Sequence, residues 1–175
     1  EPPRKPGTAV YYRIFNADGR EVEQCGNGAR CIARFLRERD GDEPDLVLDS
    51  PGGLVQTRMK GDQVSVTMGV PDFEPASLPF EASGEAYIYP LSVGASDVEI
   101  GAVSVGNPHA VIRVPAVADA PVARLGPAIE NHPRFPKRTN VGFMEVIDRG
   151  HIRLRVHERG TGETRACGTG ACAAV

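Results

Sequence analysis

The sequence lacks three features that would assign it to common functional classes. No stretch approaches the ~20 consecutive apolar residues of a transmembrane helix, so a membrane-spanning helix is excluded. The formal net charge is only −3, from 20 basic and 23 acidic residues, and the basic residues are scattered along the chain. Such a chain has no surface for a nucleic-acid backbone or an anionic bilayer. It also lacks the G-x-G-x-x-G pattern of dinucleotide-binding folds. We therefore expect a small-molecule partner.

The composition indicates a globular protein with many short strands. Hydrophobic residues make up 41% of the chain and charged residues 25%, which excludes an intrinsically disordered protein. The 20 glycines and 15 prolines together form one fifth of the sequence and predict frequent turns. A length of 175 residues suffices for one ordinary domain or two small ones.

Both ends of the sequence read as interrupted. The chain starts at Glu1, in a polar loop and without an initiator methionine, and residues 168–175 resemble the opening turns of an unfinished apolar helix. We expect the sequence to be a truncated fragment of a longer protein, and we expect the isolated segment to be inactive.

The first half predicts a small sheet and one helix. Residues Ala9–Phe15 are rich in branched and aromatic side chains and predict a strand. Apolar residues at positions 29, 32, 33 and 36 recur with a helical period and predict a helix that packs on one side. Three further runs, separated by glycine-containing turns, predict a meander: Leu46–Ser50, Leu54–Met59 and Val64–Met68.

A second half repeats this plan after a proline-rich segment. Residues 69–80 carry prolines at positions 71, 75 and 79 and predict an interdomain linker, so we expect two domains, residues 1–69 and 70–175. A short helix is predicted near Asp119–Leu125, capped by Asp119. The connections are mostly of hairpin length and predict an α+β fold with antiparallel or mixed sheets. The predicted strands are Tyr87–Leu91, Val98–Val105, Ala110–Val114, Val141–Ile147 and His151–Val156.

The pattern Cys-Gly-x-Gly-Ala occurs twice, at Cys25 and Cys167, each time at the start of a predicted helix. The unpaired N–H groups and positive end of a helix N-terminus favour thiolate over thiol, so we expect both thiols to titrate closer to neutrality. The same N–H groups can hold a carboxylate beside the sulfur. Two such thiols, one acting as base and the other as acid, can invert a carbon stereocentre. The repeat therefore predicts a duplicated catalytic half-site.

Other interpretations of the four cysteines remain open. Structural disulfides require an oxidising compartment, which the sequence does not demonstrate. A four-thiolate zinc site needs closer spacing than that between Cys25 and Cys31. Helical geometry turns Cys31 and Cys172 away from the first cysteine of each motif, and we expect both to be buried small hydrophobes.

Four ordered motifs resemble the diaminopimelate epimerase family. Residues 12–30 (YRIFNADGREVEQCGNGAR) resemble its first signature, and residues 158–172 (ERGTGETRACGTGAC) resemble its second. Residues 106–109 (GNPH) and 139–144 (TNVGFM) also match, in the same order. The resemblance runs over essentially the whole chain. It implies two pseudo-symmetric α+β domains, each with a mixed or antiparallel sheet wrapped around a central helix, and the substrate enclosed between them.

The resemblance also implies a function and a set of site residues. It predicts a cytoplasmic, cofactor-independent isomerase that interconverts LL- and meso-diaminopimelate in lysine and peptidoglycan biosynthesis, as a homodimer and without a metal. Cys25 and Cys167 would form the acid/base pair, with His109 assisting the first thiol and Glu158 the second. The residues implied for the distal end of the substrate are Asn16, Asn107, Asn140 and Arg159, and those implied for the reacting carboxylate are Gly26, Asn27, Gly168 and Thr169.

Alternatives to this function stay open at this stage. By residue type alone, His109 is more often a satisfied surface or core histidine, whereas Asn16 is equally typical of a turn and the pair Glu158 and Arg159 of a solvated loop. A proline or hydroxyproline racemase would share the cysteines but not the distal-end residues. A non-catalytic module would join Cys25 and Cys167 in a structural disulfide. The three lysines lie in loop-like sequence, so no Schiff-base lysine for pyridoxal phosphate is evident.

Overall fold

The chain divides into two compact units, Glu1–Gly69 and Val70–Val175. The computed structural model describes residues 1–15, 19–22, 25–41 and 45–175. Each unit has the α+β composition expected from the sequence, with mixed sheets and few helices. None of the helices in these described parts is both long and apolar enough to span a bilayer.

The first unit is a four-stranded sheet with one helix and a separate strand pair. Its elements are β1 (Val10–Tyr11), β2 (Ile14–Phe15), β3 (Glu21–Val22), α1 (Gly26–Asp40), β4 (Asp45–Ser50), β5 (Gly53–Lys60) and β6 (Gln63–Val66). The sheet order is β1-β4-β5-β6, with β1 parallel to β4 and the other neighbours antiparallel. The predicted meander is thus confirmed, whereas the single predicted strand at residues 9–15 is two short strands in different sheets.

The apolar stripe of α1 faces this sheet. Ala29, Ala33 and Leu36 are buried, and Ala29 and Leu36 pack in one cluster with Leu48 and Val55 of the sheet. The predicted helix and its packing face are confirmed, because side chains three and four residues apart share one side of a helix.

The second unit contains a six-stranded sheet and two helices. Its elements are β7 (Tyr89–Val93), β8 (Ser96–Ser104), β9 (Pro108–Arg113), α2 (Val122–Glu130), β10 (Asn140–Asp148), β11 (His151–Glu158), β12 (Gly162–Thr164) and α3 (Gly168–Ala173). The sheet order is β12-β11-β10-β9-β8-β7, and the only parallel pair in it is β9 with β10. The core lies between α2 and this sheet, where Leu125 and Ile129 pack with Ile100, Val141 and Phe143.

Two predictions about this unit are wrong. Residues 70–80 are not a free linker, because Leu78 and Phe80 are buried in the core of the second unit. Helix α2 begins at Val122 rather than Asp119, its N-cap is Pro121, and no side chain caps it. In both cases the burial of apolar side chains outweighs local proline and capping signals. The short strand β12 was not predicted.

Candidate active site

Cys25 is the N-cap residue of α1. It has extended backbone angles, φ −146° and ψ 108°, and its Sγ accepts a hydrogen bond from the backbone N–H of Gly28 at 3.4 Å. Gly26, the first residue of the helix, is buried. Asn27 follows, and its side-chain oxygen accepts a hydrogen bond from the guanidinium of Arg30. The sulfur therefore occupies the position that a Ser or Asp oxygen takes in ordinary helix caps.

Cys167 caps α3 in the same way. Its backbone angles are φ −129° and ψ 113°, and its Sγ accepts a hydrogen bond from the N–H of Gly170 at 3.4 Å. A Cβ on Gly170 would lie 3.1 Å from Val156 and 3.3 Å from the Cβ of Cys167, so glycine permits this close approach. The repeated sequence pattern thus has a repeated local structure, with one sulfur at each helix N-terminus.

The pKa of the Cys167 thiol differs from the value expected for a cysteine at a helix N-terminus. Burial, with a smaller effect of the nearby Glu158 carboxylate, raises the pKa of Cys167 to about 11, although hydrogen bonds from Thr169 and Gly170 act to lower it. The prediction of a thiol titrating near neutrality is wrong for Cys167, because desolvation of the thiolate exceeds the favourable effect of the helix terminus. Cys167 is a protonated thiol at neutral pH.

A row of buried and half-buried polar side chains leads from His109 in β9 to this thiol. The Nε2 atom of His109 lies 3.1 Å from Oδ1 of Asn107, and the Nδ2 of Asn107 donates to Oγ1 of Thr169 at 3.3 Å. The hydroxyl of Thr169 lies 3.3 Å from the sulfur of Cys167. His109 is fully buried, and its Nδ1 has no hydrogen-bond partner among the described residues. Burial, with a smaller effect of the Arg159 charge, lowers the pKa of His109 to about 4, so the imidazole is neutral.

Asn140 and Arg159 also come together in the second unit. Asn140 is buried at the start of β10, and its Oδ1 accepts a hydrogen bond from the backbone N–H of Arg159 at 3.0 Å. Its Nδ2 donates to the carbonyl oxygen of Pro108 at 2.9 Å. The guanidinium of Arg159 donates to the carbonyl of Lys137 at 3.2 Å. Asn140 therefore fixes the turn that carries Arg159.

The buried carboxylate of Glu130 connects three segments of the second unit, a role that the sequence did not predict. It accepts hydrogen bonds from Arg138 at 2.9 Å, from His157 at 2.8 Å and from the backbone N–H of Gly160 at 2.9 Å. The last of these holds the turn directly after Glu158, whose own carboxylate accepts a hydrogen bond from Thr164. A glutamate at the end of an apolar helix gives no signal of this role in the sequence.

The remaining predicted residues have mixed outcomes. Asn16 lies outside the described residues. Cys31 is exposed and Cys172 half-buried, so the prediction that both are buried is wrong. Cys31 lies on the side of α1 opposite the sheet, where the helix periodicity gives no reason for burial. All four cysteines are free thiols. No group of three or more His, Cys, Asp or Glu side chains in the described ranges is arranged to hold a metal ion.

Comparison with known proteins gives a consistent set of relatives. A family model described as diaminopimelate epimerase matches residues 4–74 and 101–175. The chain is 58% identical over 173 residues to the diaminopimelate epimerase of Nitrosomonas eutropha, covering 98% of this chain and 62% of that protein. It is 58% identical over 178 residues to the one from Thioalkalivibrio sulfidiphilus, covering 100% and 64%. The chain therefore spans less than two thirds of the length of these relatives.

Solved structures support the fold. A hydroxyproline epimerase from Agrobacterium vitis superimposes with a TM-score of 0.72 at 19% identity, covering 98% of this chain and 56% of that one. A probable proline racemase from Agrobacterium radiobacter superimposes with a TM-score of 0.70 at 20% identity, covering 97% and 56%. At these identities the likeness concerns the fold.

Proposed function

The chain belongs to the diaminopimelate epimerase family, and we propose that it carries both acid/base thiols of an isomerase that interconverts LL- and meso-diaminopimelate. The reaction uses no cofactor and serves lysine and peptidoglycan biosynthesis. The observation that carries the proposal is the duplicated helix cap, in which Cys25 and Cys167 have the same backbone conformation and the same 3.4 Å hydrogen bond to the N–H three residues on. Two equivalent sulfurs suit a reaction that moves one proton off a carbon and another onto it.

In the proposed mechanism, both thiols act on the same α-carbon. One sulfur, as thiolate, removes the α-proton, and the carbon–hydrogen electron pair remains on the carbon as a carbanion. The other sulfur, as thiol, gives its proton to the opposite side, and the pair exchanges protonation states. Cys167 is the acid in the state described by the structure, because its high pKa keeps it protonated. Cys25 is then the base in that direction.

The carbanion is stabilised by the substrate carboxylate, which takes up the developing charge. In the proposal, backbone and side-chain donors of Gly26, Asn27, Gly168 and Thr169 hold this carboxylate. Their support is their position in the first turn of α1 or α3, where N–H groups have no partner within the helix. Such donors stabilise the charge without reorganisation during the reaction.

The auxiliary groups of the proposal are His109 and Glu158. His109 would assist the first thiol as a neutral acceptor, which is supported by its lowered pKa and by the unpartnered Nδ1. Glu158 would assist Cys167, the pKa of which is raised by the Glu158 carboxylate. A carboxylate that accepts the S–H proton is suited to return this thiol to its ionised state in the reverse direction.

The distal amino-carboxylate end of the substrate would be held by Asn16, Asn107, Asn140 and Arg159. Arg159 supplies the positive charge that a carboxylate requires, and a guanidinium can bind it through two parallel hydrogen bonds. The bond from the N–H of Arg159 to Asn140 supports a positioning part for that asparagine. The amide of Asn107 is engaged by His109 and Thr169, which leaves it fewer free atoms for a substrate.

Substitution of the cysteines tests the function. In the intact protein that carries this sequence, Cys25→Ala and Cys167→Ala should each abolish epimerisation, measured as solvent deuterium incorporation at the α-carbon. The Cys→Ser variants should be severely impaired because a hydroxyl is a poor base near neutrality. Cys31→Ala is the matched control, since this thiol is exposed on the far side of α1, and should retain activity. Near-normal turnover in either catalytic single variant contradicts the two-thiol mechanism.

Two rival functions have separate tests. A proline-type racemase would turn over proline or 4-hydroxyproline, and not diaminopimelate, under the same deuterium assay. A non-catalytic module with a disulfide would lose stability on reduction, whereas the proposed enzyme would lose activity on oxidation. A thiol titration before and after reduction distinguishes the two.

We place the protein in the cytoplasm, where thiols are kept reduced as this chemistry requires. Its assembly as a homodimer is a prediction from the family resemblance, and sedimentation of the intact protein tests it.

A further inference from the structure

One hydrogen-bond partner of Cys167, the hydroxyl of Thr169, is the last member of a row of three polar side chains. His109 lies in β9 and Asn107 directly precedes that strand, whereas Thr169 lies in the first turn of α3. Thr169 and His109 are among the most buried polar residues of the chain, with 3% and 0% of their surfaces exposed. Buried polar atoms are generally committed to specific partners, because an unmade hydrogen bond costs about 1–3 kcal/mol. The row is therefore a fixed arrangement rather than a set of chance contacts.

The direction of each hydrogen bond follows from the donors and acceptors available. Asn107 donates from Nδ2 to the hydroxyl oxygen of Thr169, so its carbonyl oxygen faces His109. A carbonyl oxygen can only accept, which requires that the Nε2 of His109 carries the hydrogen. The Thr169 oxygen already accepts from Asn107, and its own hydrogen is free to point to the sulfur, 3.3 Å away.

Some neighbours of the Cys167 sulfur favour its thiolate form, and one disfavours it. Gly170 donates its backbone N–H, and Thr169 approaches with its hydroxyl, both from α3. The carboxylate of Glu158, at the end of β11, is the titratable group that interacts with the sulfur from the sheet. Donors favour the negative sulfur and the carboxylate disfavours it. The hydroxyl of Thr169 is thus the side-chain donor that balances Glu158.

We propose that Thr169 is a positioning residue that favours the thiolate form of Cys167, and that Asn107 and His109 fix the direction of its hydroxyl. This assigns to Asn107 and Thr169 a task within the protein, in addition to any contact with substrate. The effect on the thiol stands without the proposed function, whereas its importance for turnover rests on that function. The two can fail independently.

Alkylation of Cys167 measures the effect directly. The rate of reaction with iodoacetamide is followed between pH 7 and pH 11, and mass spectrometry separates the peptide of Cys167 from those of the other cysteines. Below the thiol pKa this rate is proportional to the thiolate fraction. Thr169→Val keeps the shape but removes the hydroxyl, and should slow alkylation about tenfold at pH values well below the thiol pKa, equivalent to one pKa unit; the difference should shrink as the pH approaches 11. Thr169→Ser should restore the rate to within about twofold, because it restores the donor.

The sign of the change separates this role from a structural one. If Thr169→Val merely loosened α3, Cys167 would become more accessible and would react faster, as would Cys172 on the same helix. The matched control is Thr139→Val, which removes another buried hydroxyl, bonded to the backbone of Asn140. It should leave the alkylation rate of Cys167 unchanged. An unchanged or faster rate in Thr169→Val overturns the proposal.

Substitution of Asn107 gives a second, independent test of the hydrogen-bond row. In Asn107→Asp both side-chain oxygens are acceptors, so the Thr169 hydroxyl turns toward the carboxylate and away from the sulfur. Alkylation should again slow, and adding Thr169→Val should slow it no further; a full second decrease would contradict the shared row. If the proposed function holds, Thr169→Val also shifts the pH profile of turnover to higher pH. If only the profile fails to shift while alkylation slows, the proposed function is at fault and the hydrogen-bond row stands.

Discussion

Gly126 offers a test of how tightly the second unit is packed around His157. It lies within α2, and a Cβ at this position would be 2.6 Å from Cγ and 2.7 Å from Nδ1 of the His157 ring. The ring is buried and its Nε2 is bonded to Glu130 at 2.8 Å. It therefore cannot move aside without breaking that hydrogen bond. We expect Gly126→Ala to destabilise the second unit.

Gly126→Ala has one favourable and two unfavourable effects on the free energy of unfolding. Alanine is favoured over glycine in a helix interior by about 1 kcal/mol. Overpacking a core typically costs about 1–3 kcal/mol, and loss of a hydrogen bond to a charged group costs about 1.5–3 kcal/mol. The unfavourable effects exceed the gain in helix propensity. The expected net loss is about 1.5–5 kcal/mol in the free energy of unfolding.

Urea denaturation followed by circular dichroism measures this loss. Gly28→Ala is the matched control, since its Cβ would meet Ile14 and Cys25 at 3.6–3.7 Å, which is ordinary contact; it should leave stability unchanged or raise it. In a His157→Gly background both the ring and the Cβ of residue 157, which lies 2.8 Å from the added Cβ, are absent, and Gly126→Ala should become stabilising by about 0.5–1 kcal/mol. A Gly126→Ala protein as stable as its parent would refute the argument that the ring is held in place.

Three further outcomes are expected. Burial lowers the pKa of His109 from 6.5 to about 4, so the stability that the neutral ring contributes is complete above pH 6.5 and falls by about 3 kcal/mol as the pH drops toward 4. In urea titrations His109→Gln should flatten this pH dependence of the free energy of unfolding, and an equally steep dependence in the variant would contradict the assignment. Glu158→Gln removes the carboxylate that raises the pKa of Cys167 and should speed alkylation of that thiol at pH 9, whereas slower alkylation would count against the assigned sign. Glu130→Ala leaves three donors without an acceptor and should reduce the free energy of unfolding by about 3–5 kcal/mol. The control Glu38→Ala, in an exposed ion pair of α1, should change it by less than about 1 kcal/mol; equal losses in the two variants would contradict the structural role of Glu130.

Local sequence patterns predicted the elements that depend on one buried face. The period of α1 identified its packing side, because the spacing of apolar residues matches the turn of a helix. In β5 the alternation of buried Val55, Thr57 and Met59 with exposed neighbours follows from the pleat of a strand. The duplicated motif likewise predicted two cysteines at helix N-termini, since each cysteine directly precedes a predicted helix, and both are N-cap residues.

Only the tertiary structure decided the properties that depend on distant neighbours. Residues 70–80 join the second core through Leu78 and Phe80 despite their prolines. Glu130 acquires two of its three donors, His157 and Gly160, from a segment 27–30 residues further along the chain. The pKa of Cys167 is raised although its helix position favours the thiolate, because burial and Glu158 act against ionisation. Hydrophobic period and turn chemistry are local and can be read along the chain, whereas desolvation and charge pairing depend on which atoms folding brings together.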